Sequence, residues 1–170
     1  METPGMIRFD TSDPGQFVEE LRPVTPPFSV VPTGAQFSAR VRMLPGPGIG
    51  LFIAELCDGN VVVDALQDTV SVNIPLKSGI DTRVGRSRQE IAVGHAAVGM
   101  PDEELDLRFR GQVPLFVANI DADLLRSYTG GELPRIPREI SLASSEGARL
   151  FRILNIYWSQ GSRRGSALGS

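Results

Sequence analysis

From Thr69 to Tyr128 the sequence repeats one pattern, a short run of alternating apolar and polar residues followed by a turn of a few residues. The runs read TVSVNIPLK, IDTRV, EIAV, HAAVGM, LDLRF and PLFVANI, and an amphipathic helical segment, DADLLRSY, closes the series. Alternation with a period of two is typical of half-buried β-strands. Such strands bury their apolar faces only if the sheet rolls up or forms a sandwich. The pattern therefore predicts an all-β fold that encloses an interior.

More strands precede this series. QFSARVRM alternates strictly, with its apolar side chains on one face. The stretch from Gly50 to Leu56 is more uniformly apolar, and Asp58-Gly59 after it predicts a hairpin turn. The tight turns between residues 77 and 94 predict that the later strands form a meander.

Three helices are predicted beside the strands. Ser12-Asp13-Pro14 is a helix start, because a capping side chain precedes a proline of the first turn. A second helix spans residues 121–128 and ends at Gly130-Gly131. The last helix runs from Ser144 or Ser145 to about Ser159. Its apolar residues cover more of its circumference than packing on one side requires. The spare surface predicts a dimer interface formed by Leu150, Ile153, Leu154, Tyr157 and Trp158.

Composition excludes several classes of function. A length of 170 residues suits one domain. A net charge of -3 argues against a nucleic-acid-binding surface on this chain. A single cysteine cannot form an internal disulfide and suits a reducing cytoplasm. No signal peptide and no membrane-spanning run of about 20 apolar residues is present, so we expect a cytoplasmic protein.

The order of these elements resembles a known family. The likeness depends on the segment VGHAAVGMP, a helix that ends in GGELPR, and SLASSEGARLFRILNIYW after it. Together they resemble the amino-terminal effector-binding and dimerisation domain of AraC-type bacterial transcription regulators, over roughly Phe28 to Trp158. The resemblance implies a cupin-like double-stranded β-helix, or jelly-roll barrel, with flanking helices that mediate dimers. It implies DNA binding only through a helix-turn-helix region that this chain lacks.

These patterns divide the chain into four segments. We predict an N-terminal lead and short helix in residues 1–25 and a cupin-like barrel in residues 26–121. Residues 122–160 would form the C-terminal helices for packing and dimerisation, and residues 161–170 a disordered Gly/Ser/Arg-rich tail.

The barrel interior is the predicted ligand site. Ligand pockets are mostly apolar with a few placed polar groups, although a small barrel filled by its own side chains shows the same pattern. Asn119 continues the face of Leu115 and Val117 and would supply an inward polar group. The predicted lining residues are Phe37, Val41, Leu51, Ile53, Val72, Ile74, Leu107, Val117 and Asn119.

No catalytic residue, metal site or cofactor is predicted. His95 is the only histidine, whereas metal-dependent barrels use two or three with a carboxylate. Cys57 has no obvious cationic neighbour that would favour a thiolate, so it is expected to be a buried apolar residue. The acidic residues between Asp102 and Asp106 are expected to form a solvated turn.

We therefore expect a non-catalytic regulatory module that binds a small-molecule effector and forms a homodimer. Two alternatives stay open. One is a metal-free cupin-type isomerase or epimerase, which would need His95 and a carboxylate inside the barrel. The other is a protein-interaction barrel without a cavity.

Overall fold

The computed structural model of the chain describes residues 5–109 and 111–167. The helices within these ranges are α1 (Pro14–Glu20), α2 (Ala122–Thr129) and α3 (Ser145–Ala167). The strands are β1 (Ile7–Thr11), β2 (Ser29–Pro32), β3 (Ser38–Leu44), β4 (Ile49–Cys57), β5 (Gly59–Val63), β6 (Thr69–Pro75), β7 (Ile80–Val84), β8 (Ser87–Ile91), β9 (His95–Gly99), β10 (Leu105–Arg108), β11 (Val113–Asp121) and β12 (Glu139–Ser141).

The strands form two antiparallel sheets that face each other as a cupin-like jelly roll, which confirms the predicted fold class. One sheet has seven strands in the order β1-β3-β4-β11-β6-β9-β12, and the other has five in the order β2-β5-β10-β7-β8. The predicted meander is wrong, because the chain alternates between the sheets. The predicted Asp58-Gly59 hairpin is also wrong: Asp58 has a φ of 59°, but β4 and β5, which it joins, lie in different sheets.

The central strands of the seven-stranded sheet are buried on both faces. Its inner face and the five-stranded sheet enclose the first core, which includes Val41, Phe52 and Val117. Its outer face packs against α3 in a second core, which includes Val72 and Leu154. Burial on both faces explains why β4 and β11 are nearly continuous apolar runs.

Side-chain caps fix α1, as predicted, and α2, for which no cap was predicted. The Asp13 carboxylate accepts a hydrogen bond from the Gly15 N–H at 2.9 Å, and Pro14 follows as the first residue of α1. The Asp121 carboxylate accepts from the Asp123 N–H at 2.9 Å. α2 ends at Gly130, whose φ of 78° is readily adopted by glycine.

Both ends of the chain depart from the predicted segments. Residues 7–11 pair with β3, so they belong to the barrel sheet rather than to a separate lead. The disordered tail is wrong for residues 161–167, which continue α3, while residues 168–170 lie outside the described ranges. Tertiary packing overrides the weak helix propensity of this Gly/Ser-rich stretch. Gly161 lies against Leu44, and the Ser162 hydroxyl is 3.6 Å from Met6 Sδ. No helix of the described ranges is both long and apolar enough to cross a membrane.

Candidate ligand-binding cavity

A cavity lies between the two sheets, and its free volume is about 40 Å³. One water molecule needs about 10–15 Å³ on this measure, so the cavity has room for about three waters. A larger molecule can bind only if part of the wall moves. The wall residues are Phe17, Leu21, Thr25, Pro26, Phe28, Phe52, Ala54, Leu56, Val61, Val63, Leu66, Ser71, Asn73, Leu105, Leu107, Phe109, Leu115, Val117 and Asn119.

The polar groups of the wall are concentrated on two neighbouring strands. Ser71 and Asn73 lie on β6, and Asn119 of β11 is paired in register with Ser71. Asn73 Nδ2 donates to Ser71 Oγ at 3.1 Å and to the Ala97 carbonyl at 3.5 Å. Most of the remaining wall is hydrocarbon, so a bound molecule would meet its polar contacts on one side only.

Asn119 is unsatisfied at one end of its amide. Its Nδ2 donates to the Val24 carbonyl at 2.8 Å. Its Oδ1 is buried and has no hydrogen-bond partner among the described residues. A buried polar atom left unpaired costs about 1–3 kcal/mol, so a donor that reached this oxygen would gain an interaction that the protein does not supply.

Residues 23–27 form a proline-rich strap over one side of the cavity. Thr25 and Pro26 are part of the cavity wall, and the side chain of Val24 is buried. Within the described ranges, the bond from Asn119 is the strap's one hydrogen bond to either sheet. The strap approaches β4 closely at Gly50, where a Cβ atom would lie 3.0 Å from Val24 Cα. With a single hydrogen bond to the barrel, the strap is the wall that can move most easily.

Aromatic rings close the cavity beside α1. Phe17 packs edge-on against Phe28, with ring centroids 5.6 Å apart, and lies 5.9 Å from Phe37. Phe17 and Leu21 lie in the wall, although the predicted lining omitted them. The signal was available, because both lie on the single apolar side of α1.

The structure corrects part of the predicted lining. Leu107, Val117 and Asn119 lie on the cavity wall, and ligand binding by them stays a prediction. Phe37 and Val41 belong to the core between the sheets but do not reach the cavity. Four predicted lining residues are wrong, since they belong to the second core or pack against it: Leu51, Ile53, Val72 and Ile74. On a strand buried on both faces, apolar character does not distinguish the inner side chains from the outer ones.

The predicted dimer residues divide between two sides of α3. Leu154 is only 2% exposed, and Leu150 and Trp158 pack against the same second core, so their assignment to a free surface is wrong. Trp158 lies 5.6 Å from the Phe116 ring. Ile153 and Tyr157 are 54% and 42% exposed, and Ile156, which the prediction omitted, is 49% exposed. We call Ile153, Ile156 and Tyr157 the α3 surface.

His95 and Cys57, the candidates for catalytic or metal-binding roles, lie outside the cavity wall. His95 begins β9, with Nδ1 3.1 Å from Glu139 Oε1, and it does not line the cavity. Cys57 is half-buried at the end of β4. Among the described residues, no group of three or more His, Cys, Asp or Glu side chains is arranged to hold a metal ion. The isomerase alternative therefore lacks the histidine that it required inside the barrel.

The acidic turn is more ordered than predicted. Glu104 pairs with Arg83 at 2.7 Å, and Glu103 pairs with Arg138. Hydrogen bonding to Glu104 raises the pKa of Arg83. The carboxylates thus join neighbouring elements instead of forming an isolated solvated turn.

Comparison with known proteins supports the same architecture. The sequence profile of the AraC-binding-like domain matches residues 22–170. The AraC-like transcriptional activator CuxR has a similar structure over 73% of this chain and 51% of its own, at 16% identity and a TM-score of 0.50. The chain thus spans about half the length of CuxR, and this likeness shows a shared fold alone.

Two further structures are more distant. The cupin domain of Schizosaccharomyces pombe Cnp3 is matched over 79% of this chain and 98% of its own, at 10% identity and a TM-score of 0.46. A predicted oxalate decarboxylase from Thermotoga maritima is matched over 71% and 98%, at 11% identity and a TM-score of 0.47. No curated protein sequence matches the chain.

Proposed function

Because the chain belongs to the AraC-binding-like domain family, whose members are regulatory ligand-binding domains, we propose that it is the effector-binding and dimerisation domain of an AraC-type transcription regulator. The observation that carries this proposal is the cavity between the sheets, whose wall includes Asn119, a residue with a buried and unpaired Oδ1. A buried acceptor without a donor is uncommon in a filled core.

The cavity and α3 share a wall, which gives an effector a route to the rest of the regulator. On β11, Val117 and Asn119 line the cavity, while Phe116 and Ala118, which alternate with them, pack in the second core. An effector that spreads this wall therefore changes the surface on which α3 lies. If the effector binds one position of α3 better than another, it shifts the population toward that position.

We propose that the α3 surface binds a second copy of the chain. Glu146, Ile153, Tyr157 and Arg164 follow one another at spacings of seven, four and seven residues, so they lie on one side of the helix. In an antiparallel pair centred near Asn155, Ile153 faces the partner's Tyr157, and Glu146 faces the partner's Arg164. An apolar centre with opposite charges at both ends makes this stripe self-complementary.

DNA binding, in this proposal, belongs to a helix-turn-helix region outside this chain, and the protein acts in the cytoplasm without catalysing a reaction. The chain's net charge of -3 supports the first point. The described cavity wall supports the last, since none of its side chains is a His, Cys or carboxylate.

Two measurements test the proposal. A thermal-shift screen of metabolites should find a compound that raises the Tm, because a ligand that binds only the native state stabilises it. The Leu107→Phe variant, which fills the cavity, should lose this shift. A set of compounds that stabilises both proteins equally would show that binding occurs outside the cavity.

Sedimentation tests the dimer. The Ile153→Asp variant should sediment as a monomer, while Asn155→Asp, which places the same charge on the opposite side of the helix, should behave as the unchanged chain does. If the unchanged chain is already monomeric at high concentration, the dimer proposal fails. A dimer that binds no compound would instead favour a protein-interaction barrel.

A further inference from the structure

We infer that the cavity is specific for a neutral, mainly apolar small molecule that donates a hydrogen bond to Asn119 Oδ1. The inference rests on the proposed function, since it names the chemical class of the effector. Three features of the wall carry it: its lack of charge among the described residues, the fixed orientation of the Asn119 amide, and the position of that amide beside the strap.

The first feature concerns charge. None of the described side chains that line the cavity is ionisable, and the polar ones are Thr25, Ser71, Asn73 and Asn119. Inside the closed cavity, a carboxylate, phosphate or ammonium group would lose its hydration without gaining a counter-charge, which is strongly unfavourable. The Asn73 amide nitrogen already donates to Ser71 Oγ and the Ala97 carbonyl, so a molecule with many hydroxyl groups would also find too few partners.

The second feature is the orientation of the Asn119 amide. Nδ2 donates to the Val24 carbonyl at 2.8 Å. Rotating the amide by half a turn would bring Oδ1 against that carbonyl, and two acceptors cannot bond to each other. The oxygen is therefore the end left for a ligand. Since it is an acceptor only, the ligand must present an N–H or O–H group.

The third feature is location. The same amide holds the strap through Nδ2 and offers Oδ1 to a ligand, so the donor of a bound molecule lies next to the wall that must move. Asn119 also borders a second, open pocket, which is lined by the strap residues Thr25 and Pro26 and by Asp121. Displacement of residues 23–27 would join the two spaces and admit a molecule larger than the closed cavity allows.

Phenol, toluene and benzoate test the inference, because they have similar shapes but differ in donor and charge. Binding is followed by NMR titration of the Val117 methyl groups in the unchanged chain, in Asn119→Leu and in Leu107→Phe. Asn155→Leu is the matched control, because it makes the same replacement on the exposed side of α3.

We expect the ratio of phenol affinity to toluene affinity to fall at least about tenfold in Asn119→Leu, which corresponds to about 1.4 kcal/mol. The ratio should be unchanged in Asn155→Leu. Leu107→Phe should bind neither neutral probe, and benzoate should not perturb the methyl groups of any form.

Each other outcome has a distinct meaning. An unchanged ratio in Asn119→Leu overturns donor recognition, and benzoate binding as tight as that of phenol overturns the neutral class. Failure of both neutral probes to bind the unchanged chain also overturns the inference. None of these results contradicts the proposed function. That proposal fails if every compound that stabilises the unchanged chain also stabilises Leu107→Phe, in which the cavity is filled.

Discussion

Gly147 and Gly161 lie on the same face of α3, about four helical turns apart, and each touches the barrel where a side chain would not fit. A Cβ atom on Gly147 would lie 1.9 Å from the Ser141 carbonyl oxygen. A Cβ atom on Gly161 would lie 2.2 Å from Leu44 Cδ2. Leu154 is midway between them and is buried in the second core. One face of α3 therefore contacts the barrel at three positions along its length.

Replacing either glycine by alanine should change the stability in the direction opposite to that seen on an exposed helix. On an exposed helix, Gly→Ala stabilises by up to about 1 kcal/mol. We expect Gly147→Ala and Gly161→Ala to destabilise instead by about 1–3 kcal/mol, because each overpacks the helix–barrel contact. Gly147→Ala should be the worse, since it meets a backbone carbonyl rather than a side chain. Urea unfolding measures both, with the exposed Gln160→Ala as control, and stabilisation by either glycine variant would contradict the packing described.

Leu154 and Ile153 are neighbours in sequence with opposite environments. Leu154→Ala should lower the free energy of unfolding by about 2–5 kcal/mol, because it leaves a cavity in the second core. Ile153→Ala should change the stability of the monomer by less than about 0.5 kcal/mol. Urea unfolding at low protein concentration separates the two, and similar losses in both variants would mean that α3 is rotated from the position seen here.

Gly50 controls the approach of the strap to the barrel. A Cβ atom there would lie 3.0 Å from both Val24 Cα and Val24 Cβ. We expect Gly50→Ala to push residues 23–27 outward, lengthening the bond from Asn119 and speeding amide hydrogen exchange in the strap. Gly34→Ala, beside the Asp58 carboxylate at a site distant in sequence, is the comparison. Unchanged exchange in the strap of Gly50→Ala would show that β4 yields instead.

The sequence predicted the class of fold well because alternation survives wherever one face of a strand meets solvent. On β3, Ala39 and Val41 are buried while Arg40 and Arg42 are exposed, and this strand was placed correctly. On β6, Val70 and Val72 are apolar, but the cavity lies on the other side, with Ser71 and Asn73. The predicted lining included Val72 and Ile74, which lie on the face of β6 opposite the cavity.

Long-range contacts explain the other errors. The strap enters the site because Asn119 binds Val24, which is 95 residues away, and no local pattern encodes that pairing. The stretch 161–167 is helical because it lies on β3 and the N-terminal segment, although its composition is that of a flexible tail. Function was harder to predict than fold, since it depends on which face of a doubly buried sheet encloses the cavity.

Acid should weaken the start of α3 through Glu146. The pKa of Glu146 is lowered, chiefly by a hydrogen bond from its own backbone N–H, then by the Ser145 hydroxyl and by the nearby Arg149. A carboxyl whose pKa is lower when folded stabilises the fold above its unfolded pKa, near 4.5, and loses that contribution as pH falls through the folded value.

The stability difference between the unchanged chain and Glu146→Gln should therefore be present at neutral pH and disappear in acid. Urea unfolding across this pH range measures it, with Glu132→Gln in the connector as a control for loss of surface charge. A difference that grows as pH falls would contradict the assignment.

Arg138 connects the cavity wall to the start of β12. Its guanidinium donates to Glu103 Oε2 and, at 3.2 Å, to Ser87 Oγ. Its carbonyl accepts from the Val98 N–H at 2.8 Å. The Glu103 carbonyl in turn accepts from the N–H of Leu66, which lines the cavity, at 2.9 Å. A movement of the cavity wall can thus reach the segment that leads into α3.

A double-mutant cycle with Arg138→Ala and Glu103→Gln measures this link. The Arg138 side chain is 44% exposed, so solvent screens the pair and we expect a coupling of about 0.5–1 kcal/mol that shrinks at high salt. Arg135→Ala, an exposed arginine of the same connector, should show no coupling to Glu103→Gln. If Arg138 is the link, Arg138→Ala should also speed amide exchange in β12 and the first turn of α3, whereas equal exchange in both arginine variants would show that β12 is held by its pairing with β9 alone.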